Sequence, residues 1–164
     1  INMASQPIIG FNFGAKSVAR VKETLRVALI SATLIAVGAF ISIELVPGFI
    51  VKLFNSDSEV LYNITVNGIR LAVLALPLVG FQVVASNFFQ SVGKAKLAIF
   101  ATLFRQVILL IPLLLIFPDF WGINGIWIAF PVSDTMSALA VAVMLIREWK
   151  KLTTSENFTI EKAR

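Results

Sequence analysis

Residues 71–93 form a run of 23 without one charged side chain. A segment so long and so apolar has few homes. In a chain of 164 residues a soluble core can hardly bury it. An apolar helix of about 20 residues, by contrast, matches the hydrocarbon thickness of a bilayer. Three more apolar stretches accompany it, at 27–43, 97–117 and 120–146. Hydrophobic residues make up 58% of the chain and charged residues 14%, where soluble domains carry roughly 45–50% and 25%. The pattern predicts an all-α integral membrane protein with four transmembrane helices, near 24–46, 64–92, 97–117 and 121–146. The competing class, an all-α soluble bundle, leaves the uncharged run unexplained.

The basic residues alternate between the connections. Lys16, Arg20, Lys22 and Arg26 precede the first span, opposed only by Glu23. Lys94 and Lys96 sit between the second and third spans with no acid beside them. Arg147, Lys150 and Lys151 follow the fourth, opposed by Glu148. The first connection balances Lys52 and Arg70 against Asp57 and Glu59, and the third holds Asp119 alone. Cytoplasmic loops carry the excess of Lys and Arg. Both ends and the middle connection are therefore expected in the cytoplasm, in a multi-pass protein of a prokaryotic plasma (inner) membrane. The net charge of +5 does not indicate nucleic acid, because no basic face is interleaved with aromatics. Membrane lipid is the expected partner of those charges.

Cysteine and histidine are both absent, which rules out disulfides, thiolate metal sites, zinc centres and histidine-based triads. No phosphate-binding loop, nucleophile elbow or zinc-protease helix motif occurs. No enzyme activity, catalytic residue, metal ligand or cofactor is expected. Pro77, Pro112 and Pro131 fall inside spans two, three and four, where membrane helices tolerate kinks that soluble helices avoid. Pro47-Gly48 closes the first span, and Asn55-Ser56-Asp57 reads as a turn that N-caps a short helix. The tight connection at residues 119–122 makes spans three and four an antiparallel hairpin. Residues 1–15 are too short and polar to span, and read as the tail of a helix that begins upstream. Residues 151–164 read as a charged cytoplasmic tail, with 156–164 solvated and mobile.

Four motifs carry a resemblance. The first is Gln6-Pro7-Ile8-Ile9-Gly10-Phe11-Asn12-Phe13-Gly14-Ala15-Lys16 with Arg20-Val21-Lys22, and the second is Phe88-Phe89-Gln90-Ser91-Val92-Gly93-Lys94-Ala95. Arg105-Gln106 with Ile111-Pro112-Leu113 is the third. Gly122-Ile123-Asn124-Gly125-Ile126-Trp127 with Pro131-Val132-Ser133-Asp134 is the fourth. In this order and spacing they resemble the MATE family of multidrug and toxin extrusion transporters. They match its loop between helices eight and nine and its helices ten, eleven and twelve. The resemblance covers about residues 1–150. It implies part of the C-lobe of a twelve-helix transporter. Such a transporter exports organic cations or drugs in exchange for H+ or Na+ by alternating access. The fragment would be inactive alone, its partner being the N-terminal part of the transporter.

Charged groups at bilayer depth are costly and functional by default. Arg105 and Asp134 each stand 14 residues from the connection at Asp119-Phe120, so at 1.5 Å per residue their depths match and an ion pair is available. One reading is that the pair only fixes helix packing; the other is that Asp134 serves the coupling cation. Gln82, Ser86 and Gln90 repeat every fourth residue with Asn87 beside them, a stripe that lipid would not accept. It serves either interhelical hydrogen bonds or the wall of a drug cavity, with Phe88 and Phe89 offered to an organic cation. Some family members carry an acid in helix ten; this span has none, so coupling is expected on carboxylates elsewhere. Glu44 reads as interfacial, and Trp121, Trp127 and Trp149 as an aromatic belt. The alternatives are a lipid or polysaccharide flippase of the same superfamily, disfavoured by a single deep cation, and a self-standing four-span scaffold or small exporter.

Overall fold

The computed structural model describes residues 1–54 and 59–162, and every described element is helical. In chain order these are α1 (Asn2–Gly14), α2 (Val18–Leu45), α3 (Pro47–Phe54), α4 (Glu59–Val73), α5 (Leu76–Ser91), α6 (Ala95–Leu103), a π-helical segment (Phe104–Leu110), α7 (Ile111–Trp121) and α8 (Ile123–Lys162). The turn expected at Asn55-Ser56-Asp57 lies outside the described residues. Val18–Leu45, Ala95–Trp121 and Ile123–Thr154 are each long and apolar enough to cross a membrane. α4 and α5 pass the same test as a pair, bent by 44° at a short break, which brings the number of spans to as many as four. The fold is all-α and membrane-spanning.

Proline sets two of the irregularities. Pro77 stands in the first turn of α5, where it has no N–H to continue the ladder from α4 and its ring collides with the carbonyl four residues back. The span breaks there. Pro112 opens α7, and the π-helical segment ends two residues before it. A widened turn accommodates a residue that cannot make the usual bond. Pro131, also expected to kink its span, is carried inside an uninterrupted α8. That helix runs on to Lys162, past residue 151, where the sequence suggests a tail.

Residues 1–15, read as the tail of a helix, are helical from Asn2 through Gly14, so most of the motif matched to an interhelical loop is helix and the connection to α2 is only Ala15 to Ser17. α1 and α5 end alike. After α1, Ser17 N–H donates to Asn12 O (2.8 Å) and Lys16 N–H to Phe13 O (3.1 Å). After α5, Lys94 N–H donates to Phe89 O (2.8 Å) and Gly93 N–H to Gln90 O (3.0 Å). Both are Schellman caps, which need a left-handed residue. Gly93 supplies φ +76° without strain, and Lys16 adopts φ +58° despite its Cβ.

α8 is the hub. It packs on α2, α4, α5, α6, α7 and the π-helical segment, and its apolar part is far more buried than that of α2 or of the span from α6 to α7. The outer helices turn Leu34, Ile35 and Leu115 outward, as lipid or further protein would require. α2 and α5 approach closely at Gly80, whose added Cβ would lie 2.7 Å from Ala32 O and 3.0 Å from Ala36 Cβ. Small residues let membrane helices meet at this range.

Candidate functional site

The polar stripe of α5 is one wall of a cavity of about 330 Å3. Gln82, Ser86, Asn87 and Gln90 line it from α5. Thr102, Arg105 and Gln106 face them from the end of α6 and the π-helical segment, and Asn2 of α1 closes it. Five of the six residues expected in a cavity or coupling role therefore share one space. Asp134, the sixth, is not in the lining but holds Arg105.

Each polar group is placed by the helix that carries it. Gln82 is buried at 5% exposure and locks α5 to α8: its amide Nε2 donates to Asp134 O (2.8 Å), and its Oε1 accepts from Ser137 Oγ (3.1 Å). Gln82 thus both lines the cavity and makes interhelical hydrogen bonds. Asn87 Nδ2 reaches toward Asn2 O (3.4 Å) and Ser5 Oγ (3.5 Å), contacts at the long limit of hydrogen bonding. Asn2 Oδ1 is buried without a partner.

Arg105 Nε lies 2.9 Å from Asp134 Oδ1, yet Nε–H has no properly aligned acceptor. The contact is an ion pair without a directed bond at Nε. The adjacent Ser133 Oγ donates to Arg105 O at 3.0 Å, so side chain and backbone of the π-helical segment are both fastened to α8. Glu44 pairs loosely with Arg70 at 3.7 Å, an exposed contact of little energetic weight.

Two aromatic expectations are overturned. Phe88 and Phe89 cannot offer their faces to a ligand, because they are 1% and 0% exposed in a core with Ile9, Val21 and Leu25. Helical periodicity gives the reason. At about 100° per residue, Ser86, Gln90 and Asn87 share an arc that leaves Phe88 opposite and Phe89 beyond its edge. Trp127 is not free at a membrane surface either: its ring lies against Gly68 of α4, and its Nε1 is buried and unpartnered. Trp149 packs on the core and carries Lys22 Nζ 5.9 Å from its ring centre. Trp121 is 56% exposed.

The sequence did not single out Asn2, Thr102, Ser133 or Ser137 as separate site residues. Ser133 and Ser137 could have been found, since both flank Asp134 on one helical face. Asn2 could not, because its contacts with α5 span more than 80 residues.

One end of the bundle gathers the basic connections. Lys94 pairs with the buried Glu148, which Lys151 also holds at 3.1 Å. The turn after α5 and the far part of α8 thus meet at one end, where Lys22, in the first turns of α2, lies over Trp149.

Residues 1–116 match the family model described as MatE. The chain belongs to the MATE family. It is similar to the multidrug export protein MepA of Staphylococcus aureus (strain MSSA476), with 25% identity over 152 residues, 92% of this chain and 33% of MepA. To MepA of Staphylococcus haemolyticus (strain JCSC1435) it is 24% identical over 156 residues, 94% of this chain and 34% of that protein. Among solved structures, it is similar to an inward-facing multidrug resistance MATE family transporter of the MOP superfamily. The TM-score is 0.86 and the identity 19%, covering 93% of this chain and 36% of that one. An outward-facing MATE family transporter gives a TM-score of 0.86 and 20% identity, covering 93% and 35%. This MATE-family chain therefore shares the fold of these transporters and spans about a third of the length of the curated relatives it matches.

Proposed function

We propose that these helices form part of one lobe of a secondary active multidrug efflux antiporter. It exports organic cations or drugs across a prokaryotic plasma (inner) membrane, with the C-terminus in the cytoplasm. The observation that carries this reading is a polar cavity walled by two helices whose outer faces are apolar. Such a recess inside a bilayer has no use to packing alone. Its equal likeness to inward-facing and outward-facing transporters suits a unit that rocks as one body while access alternates. The basic turns that meet at one end support the cytoplasmic orientation.

Coupling by H+ or Na+ rests, in this reading, on carboxylates outside the chain. Among the described residues, no side chain lining the cavity is a carboxylate. Asp134 serves to neutralise Arg105 and fix the third span against the fourth. The remaining part of the transporter completes the substrate path.

The test is ethidium efflux by the full-length transporter in proteoliposomes under an imposed proton or Na+ gradient. Efflux driven by one gradient is expected, with none from the 164 residues alone. Resistance to ethidium conferred by the 164 residues, or no efflux under either gradient, contradicts the reading.

A further inference from the structure

We propose that the cavity receives a carboxylate group of the transported molecule at Arg105, an inference that rests on the transport reading above. Among the described residues, Arg105 is the one ionised side chain that lines the cavity. Asp134 contacts it at Nε from outside the lining. The N–H groups of its two terminal nitrogens make no hydrogen bond among the described residues. Ser86, Gln90 and Gln106 stand around the same space as neutral donors. The counter-charge for the cationic part of a transported molecule is not in this lining and falls to the remaining part of the transporter. A carboxylate finds a planar guanidinium edge, whose paired N–H groups match its two oxygens.

Size narrows the ligand further. A volume of about 330 Å3 lies at the lower end of the range for small-molecule pockets. It holds a carboxyphenyl-sized fragment more readily than an entire drug. The substrates favoured by this wall are thus drug-sized molecules that carry an acidic group, including zwitterions whose cationic part is met elsewhere.

Rhodamine 110 and rhodamine 123 differ only in a free carboxylic acid against its methyl ester. Their binding to the purified full-length transporter is measured by fluorescence anisotropy. The acid is expected to bind about tenfold tighter than the ester, the effect of one charge-assisted contact. In Asp134→Asn the preference should rise, because the competing carboxylate is gone. In the double variant Arg105→Gln with Asp134→Asn it should vanish while ester binding persists. Equal binding of acid and ester by the unaltered protein overturns the proposal. So does a preference that survives the double variant. Should the double variant not fold, Asp134→Asn decides alone, and a preference that does not rise overturns the idea. Failure of the transport reading is separable. Acid preference without efflux of either dye would leave the carboxylate site standing and remove the antiporter, whereas ester efflux without preference would do the reverse.

Discussion

Arg105 and Asp134 meet across the seam between the π-helical segment and α8, Nε to Oδ1 at 2.9 Å, while Ser133 holds the Arg105 carbonyl. Removing either charge leaves the other in a poorly solvated site, which costs more than removing both. In the full-length transporter, Arg105→Gln and Asp134→Asn should each lower thermal stability. The double variant should lose less than their sum, with a coupling of about 1–3 kcal/mol. The Arg105 side chain keeps 29% exposure, which puts the value toward the lower end. Strictly additive losses in a double-mutant cycle would show that the pair contributes nothing.

Gly80 and Gly38 should respond oppositely to alanine. A methyl group at Gly80 would press on Ala32 O of α2, whereas nothing lies within 4 Å at Gly38. Gly38→Ala should gain up to about 1 kcal/mol from helix propensity. Gly80→Ala should lose about 1–3 kcal/mol to overpacking. Thermal unfolding of the two variants makes the comparison, and equal shifts would refute the close approach of α2 and α5.

Phe88→Ala should destabilise by roughly 2 kcal/mol or more through the cavity it leaves. It should not alter the ranking of ligands, since Phe88 is buried away from the polar wall. Dye affinities and melting temperature, measured on the same sample, separate these outcomes. A ligand-selective loss without destabilisation would return Phe88 to the site.

Lys16→Gly should raise stability modestly, by about 0.5–1 kcal/mol. The left-handed cap costs a side chain about 1–2 kcal/mol, and glycine gives back part of that in unfolded-state entropy. Gly93→Ala, at the matching cap of α5, should lower it. Opposite signs in chemical or thermal denaturation are the expected result.

Span number and the fracture near Pro77 were legible because hydrocarbon thickness and the missing proline N–H act on short stretches of sequence. The cavity was half legible: a four-residue repeat of Gln82, Ser86 and Gln90 marks a face without saying what opposes it. That α6 and the π-helical segment oppose it depends on tertiary packing. The same limit misplaced Phe88 and Phe89, whose neighbours in sequence line the cavity while their rings do not. Trp127 was misread for a related reason, because its partner Gly68 lies on α4 and leaves no local trace. α1 runs through Gly10 and Gly14, so a motif matched to an interhelical loop is mostly the end of a helix.

Substituted-cysteine accessibility at Ser86 tests the central claim most directly, since the chain contributes no cysteine of its own. In the full-length transporter, Ser86→Cys should react with a hydrophilic, charged thiol reagent and be protected by a transported dye. Ile35→Cys on the apolar outer face of α2 should stay unreactive in the membrane. Labelling at Ile35→Cys with none at Ser86→Cys, or labelling at Ser86→Cys that no transported dye slows, would contradict a substrate-facing wall on α5.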